Sequence, residues 1–215
     1  MTYRICVVFG LFATVLGSAC AQDMDRPSDY ATAHSAIVNG TRTPTITNLS
    51  AGEQRAVGYL ATDGVGAFCT ATLIDRDVAI TAEHCINGTY PLDQMRFGMG
   101  DPTNPDAYIP VHSAPMHASR DVALIFLQQD AVSLVPNTQP IALNRATPSQ
   151  ALVGTRLEAA GYGETLSDSD GQFFVTVELT AIQEEWLVVN GWGQQGICFG
   201  DSGGPLFAND ENGEP

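Results

Sequence analysis

ICFGDSGGPL, Ile197–Leu206, is the stretch on which the reading of this chain turns. Ser202 stands after Gly200-Asp201 and before Gly203-Gly204-Pro205. Glycines on both sides let the backbone turn tightly and let a substrate approach the main chain closely. They also leave N–H groups open to receive a developing oxyanion. A Gly-rich surface turn carrying an ordinary serine has the same local sequence, so the rest of the chain must supply the partners.

A serine nucleophile needs a base, usually histidine, held by a carboxylate. Beyond the first 36 residues there are three histidines: His84, His112 and His117. His84 lies in ITAEHC, after the strand-like DVAI and directly before Cys85. A histidine beside a disulfide is well placed to keep one ring orientation; a plain packing role is the ordinary alternative. Asp121 opens the apolar run SRDVALIFL. A carboxylate at the head of a buried strand is costly unless paired, the simpler alternative being a turn or strand cap.

The three occur together as TAEHC (Thr81–Cys85), DVAL (Asp121–Leu124) and GDSGGP (Gly200–Pro205), in the order His, Asp, Ser. This set resembles the chymotrypsin/trypsin-like serine peptidases. The resemblance implies that His84 is the general base, Asp121 its orienting carboxylate and Ser202 the nucleophile, with an acyl-enzyme intermediate. The N–H groups of Gly200 and Ser202 would form the oxyanion hole. IVNG at Ile37–Gly40 resembles the N-terminus that processing releases in this family, whose amine would pair with Asp201. FCTATLI at Phe68–Ile74 resembles the strand bearing the partner of the histidine-loop cysteine, implying a Cys69–Cys85 disulfide. PIAL at Pro140–Leu143 is similar to the link between barrels, and AAGYG at Ala159–Gly163 to the start of the second. The implied architecture is two six-stranded antiparallel Greek-key barrels with the site in the cleft between them. The first would span about residues 37–130, the connector 131–150 and the second 151–215. Protein or peptide substrates and protein inhibitors are the partners that this implies, with no metal or cofactor and a monomeric chain.

The residues themselves point the same way more coarsely. Short β-type runs separated by turn residues occur at Ala56–Ala61, Ala67–Ile74, Val78–Thr81, Val122–Leu127, Arg156–Gly161 and Gln172–Ile182. In the last, Val175, Val177, Leu179 and Ala181 alternate with polar residues. No window carries a long amphipathic helix, so the class is all-β, as a sandwich or a barrel. The net charge is −15 and all nine basic residues are arginine. Such a surface argues against nucleic-acid binding, which requires basic groups to neutralise phosphates.

The N-terminus carries an address. Arg4 precedes the apolar run Ile5–Ala19, short for a membrane span and right for a signal-peptide core. Ala19-Cys20-Ala21 offers a cleavage site, which gives a signal peptide over residues 1–21 and a polar leader over 22–36. The alternative, in a bacterial setting, is a lipid anchor on Cys20. Both routes take the protein out of the cytoplasm, as a secreted or periplasmic protein, into oxidising conditions. With Cys6 and Cys20 assigned to the signal, three cysteines remain, an odd number. Given the implied Cys69–Cys85 pair, Cys198 is expected to lack a partner in this chain.

Four departures from the family pattern shape further expectations. Glu83 stands where alanine is usual, and on extended backbone it would point away from His84. Gly196 occupies the base of the implied specificity pocket, where glycine offers no anion to Lys or Arg side chains. Cleavage before Ile37 would follow Ala36, a small residue. ANDENGEP at the end reads as a hairpin turn entering another strand, so the second barrel is expected to be incomplete and the chain a fragment. The competing readings are a catalytically inactive protease-like binding module, a truncated inactive product, and an esterase that shares the chemistry.

Overall fold

The computed structural model describes residues 37, 39–88, 90–163, 171–184 and 186–209. The signal and leader readings lie outside them. Among the described residues no helix is long and apolar enough to cross a membrane.

Six strands close an antiparallel barrel: β1 (Val57–Thr62), β2 (Gly66–Leu73), β3 (Val78–Thr81), β4 (Met95–Asp101), β5 (Asn104–Ser113) and β6 (Ala123–Leu127), in the order β1-β2-β3-β6-β5-β4. The chain enters through a single turn of helix, α1 (Ala51–Ala56), started by a capping box in which the Ser50 and Glu53 side chains each bond the other's backbone N–H. β1 is buried along its whole length. Its Gly58 is obligatory by contact, since a Cβ there would lie 2.4 Å from the Gly98 carbonyl oxygen and 2.6 Å from the Phe97 ring.

A second, four-stranded sheet is formed by β7 (Arg156–Gly161), β8 (Phe173–Ile182), β9 (Leu187–Asn190) and β10 (Leu206–Phe207), in the order β10-β7-β8-β9. Between barrel and sheet, the short helix α2 (Ala131–Leu134) leads into a segment lashed across the barrel. Gln139 N–H donates to the Gly52 carbonyl and Ile141 N–H to that of Leu73.

Period-two alternation divides the second sheet between two cores. Leu157, Ala159, Val175, Val177, Leu179 and Leu206 face one cluster, which also holds Ile37. Their neighbours Ala160, Phe174 and Phe207 turn the other way into the barrel's cluster with Tyr59, Leu60 and Phe97. The sheet is thereby packed against the barrel through its large residues, each contributing roughly 1.5–3 kcal/mol by burial.

The all-β expectation holds, and the six runs named above coincide with β1, β2, β3, β6, β7 and β8 to within a residue at most ends. β4 and β5 were not expected. Gly98 and Gly100 interrupt β4, and Pro105 and Pro110 interrupt β5, residues that weaken a strand reading. The structure accommodates them by a register shift at Met99/Gly100 and by pairing Gly100 with Pro105.

Candidate active site

His84 lies in a 3-10 turn, Glu83–Cys85, that follows β3. The expectation that Glu83 points away because the backbone is extended therefore does not apply: alternation belongs to strands, and this segment is a turn. Asp121 lies just before β6, the strand paired with β3, so sheet pairing alone brings the two residues together. The carboxylate grips His84 at two points. Its Oδ1 accepts the His84 backbone N–H at 2.8 Å and its Oδ2 lies 2.7 Å from the ring Nδ1. The side chains are 32% and 17% exposed, so the pair stands at the surface with its carboxylate half withdrawn from water. With Nδ1–H given to Asp121, Nε2 is left with a lone pair to accept a proton.

The Cys69–Cys85 disulfide joins β2 to this turn, and its sulfurs are therefore not metal-binding thiolates, although they cluster with the His84 ring. The same bridge abuts the serine loop: the Cys85 Sγ lies 3.8 Å from the Ser202 carbonyl oxygen. Thr70, fully buried and next to Cys69, fixes that loop. Its N–H donates to the Ser202 carbonyl (2.8 Å) and its hydroxyl to the Gly200 carbonyl (2.9 Å). The same hydroxyl accepts the N–H of Tyr162 (2.9 Å), tying in the second sheet. Gly203 closes the contact: with φ +82°, a Cβ would sit 2.1 Å from the Thr81 hydroxyl and 2.4 Å from the Thr70 carbonyl oxygen. The segments carrying His84, Asp121 and Ser202 thus converge where the barrel meets the second sheet. Thr70 was not anticipated; its place directly after a disulfide cysteine was the only available signal.

Holding the Gly200 and Ser202 carbonyls orients the N–H groups of the peptides they belong to, those of Asp201, which donates to the Cys198 carbonyl (3.2 Å), and of Gly203. Among the described residues, neither the Gly200 nor the Ser202 N–H meets an acceptor.

Asp201 points inward from the same loop, 2% exposed. Oδ1 accepts the Gly163 N–H (2.8 Å) and Oδ2 the Cys198 N–H (3.0 Å). Burial pushes its carboxyl up to about 7, against the pull of those two bonds. The glycines of AAGYG make room for it, a Cβ at Gly161 falling 2.1 Å from Oδ1. Among the described residues no cation pairs with Asp201. Ile37 is buried in the second sheet's core.

Gly196 lies in the loop before the serine, with nothing within 4 Å of where a Cβ would be. Cys198 is disulfide-bonded, so the expectation that it lacks a partner in this chain is corrected. That expectation rested on setting aside the cysteines of the first 21 residues; the five cysteines of the whole chain still leave one over, and parity does not say which.

A family model described as Trypsin matches residues 45–213. The chain is also similar to "Serine protease ea" of Drosophila melanogaster, at 30% identity over 195 residues that cover 68% of this chain and 50% of the fly protein. The chain thus spans about half the length of this curated relative.

Proposed function

The chain belongs to the trypsin family, the chymotrypsin/trypsin-like serine peptidases, and from that membership we propose that it hydrolyses peptide bonds as a secreted endopeptidase made in zymogen form. The observation that carries this reading is the two-point hold of Asp121 on His84, set beside a serine loop whose carbonyls are tied down by Thr70.

Asp121 keeps the His84 ring in one tautomer, with Nε2 free to take the Ser202 hydroxyl proton as Oγ attacks a substrate carbonyl. The oxyanion develops against the N–H groups of Gly200 and Ser202. His84 returns its proton to the leaving amine, and the acyl-enzyme is hydrolysed by water through the same base. The zymogen step supplies what Asp201 lacks: cleavage before Ile37 frees an amine that enters the interior and pairs with the buried carboxylate. Gly196 leaves the specificity pocket without an anion at its base, which favours small or apolar residues over Lys and Arg before the scissile bond. In this reading residues 1–21 are the signal, 22–36 the leader and 37–215 the peptidase domain. Self-processing after Ala36 is consistent with that preference.

Labelling with a fluorophosphonate tests the reading on the protein processed before Ile37 and on its Ser202→Ala variant. Stoichiometric label on the processed form that disappears in Ser202→Ala is expected. A processed, folded form that takes no label would sink it. Peptide and ester substrates offered to the labelled form separate a peptidase from an esterase.

A further inference from the structure

Glu158 lies in the middle of β7 with its side chain fully buried, and the chemistry above makes no use of it. A buried carboxyl group is costly unless its oxygens are satisfied. Here three successive residues of another segment saturate both. Oε1 accepts the N–H of Thr45 (2.6 Å) and its hydroxyl (2.9 Å). Oε2 accepts the N–H of Thr47 (3.0 Å) and its hydroxyl (2.5 Å), with the Ile46 N–H at 3.4 Å. Five donors and no acceptor converge on the group, and among the described residues no cation is paired with it. Only an acceptor at both oxygens satisfies this set. A glutamine would turn an NH2 group onto one of the donor pairs.

The segment held here leads directly from IVNG into the barrel. Its other ties to the second sheet and the residues flanking it include a pair of 2.8 Å backbone bonds between Thr41 and Phe174, the Thr45 hydroxyl 3.0 Å from that of Thr176, the Asn209 side chain donating to the Ile46 carbonyl (2.7 Å), the Asn39 side chain donating to the Gln194 carbonyl (2.6 Å), and the Arg42 guanidinium 4.0 Å from the Phe173 ring centre. The last two are solvent-exposed and hold weakly. Past Glu158, β7 ends at Gly161, which abuts the Asp201 carboxylate, and Gly163 just beyond donates to it. One strand therefore carries both the anchor for the chain after Ile37 and the wall of the site that Ile37 is to reach.

We propose that Glu158 is a positioning residue for activation: by clamping Thr45–Thr47 it sets the register from which the amine of Ile37 reaches Asp201. This rests on the reading of Ile37 as the N-terminus released by processing. The clamp exists before cleavage, so the cut chain has only its first few residues left to order, and the entropy that opposes amine insertion is correspondingly reduced.

The full chain is compared with Glu158→Gln and Thr47→Val, first uncut, by amide hydrogen exchange, then cut before Ile37, by the rate at which cyanate carbamylates the new amine. In Glu158→Gln, exchange at Thr45–Thr47 is expected to rise about tenfold to a hundredfold, as for a local opening that has lost its buried acceptor. The amine is expected to react about tenfold faster, while the β1–β6 barrel keeps its protection. Thr47→Val, which removes one hydroxyl donor, moves both readouts the same way by less. An amine that reacts at the wild-type rate in Glu158→Gln, despite lost protection at Thr45–Thr47, overturns the proposal by showing a purely structural clamp. If Glu158→Gln does not fold, Thr47→Val carries the comparison, and a wild-type amine rate there overturns it equally. Neither readout uses catalysis. A protected wild-type amine in a protein that takes no fluorophosphonate refutes the peptidase reading and leaves the clamp standing; an unprotected wild-type amine refutes the clamp.

Discussion

Asp121 and Asp201 are two carboxyl groups with opposite needs. Asp121 is partly exposed and spends both oxygens on His84. Replacing it with Asn preserves the shape but offers an NH2 group to one of those contacts, which favours the wrong ring tautomer. A loss in kcat of about 10^4-fold is expected for Asp121→Asn, measured on the processed enzyme with a peptide substrate. Retention of full activity would remove Asp121 from the mechanism. Asp201 is buried with two N–H donors and, among the described residues, no counter-charge, and its carboxyl is raised from the ordinary 3.8 to about 7. The sign follows: a raised folded value means that the fold prefers the protonated form. Stability from this group is full below about pH 4 and is lost as pH rises through 7, by roughly 4 kcal/mol if nothing relaxes. Urea unfolding of the uncut chain from pH 4 to 8 should therefore show a decline that Asp201→Asn lacks. Once Ile37 is freed, a paired amine favours the charged form, and the decline should shrink or reverse. Parallel pH profiles for wild type and Asp201→Asn in the uncut chain would show that the carboxyl is not desolvated as described.

Elements matter here mainly for what they hold still. β2 presents Thr70 and Cys69 side by side, so one strand braces both the histidine turn and the serine loop. The loop can approach only because Gly203 has no Cβ and adopts φ +82°. Gly203→Ala faces a strained backbone conformation and a collision with the Thr70 carbonyl, which is main chain and cannot step aside. Destabilisation of at least about 1–3 kcal/mol is expected, with loss of fluorophosphonate labelling. A thermal melt and a labelling time course check both, and a stable, labelling Gly203→Ala would mean that the loop is not seated as described. The motif GDSGGP made this glycine legible in the sequence, whereas its collision partners, Thr81 and Thr70, were not. The strands β4 and β5 were hidden for the converse reason. Their glycines and prolines contradict local strand preference, and barrel closure between β1 and β6 overrides it.

At the scale of the molecule, the barrel and the second sheet share a core through Ala160, Tyr162, Phe174 and Phe207, and the three catalytic candidates sit where they meet. The chain already has the His84–Asp121 pair, and among the described residues no cation pairs with Asp201, the place that the proposed activation gives to the amine of Ile37. Processing before Ile37 is therefore expected to raise the fluorophosphonate labelling rate by at least about tenfold without changing the barrel, a shift that corresponds to one buried ion pair's worth of loop ordering. Equal rates for cut and uncut chains would show that activation does not run through Asp201. The sequence by itself determined the reading of the family and the all-β class, and through that resemblance pointed to His84, Asp121 and Ser202 as the candidate triad and to the Cys69–Cys85 pairing, because local motifs in a fixed order carry them. Only the tertiary structure decided that Thr70 seats the serine loop, that Glu83 lies in a turn, and that Glu158 is the buried anchor of the chain after Ile37. Each depends on contacts between residues far apart in the chain, and in the sequence a buried glutamate between Leu157 and Ala159 looks like any exposed one until its five donors are brought to it.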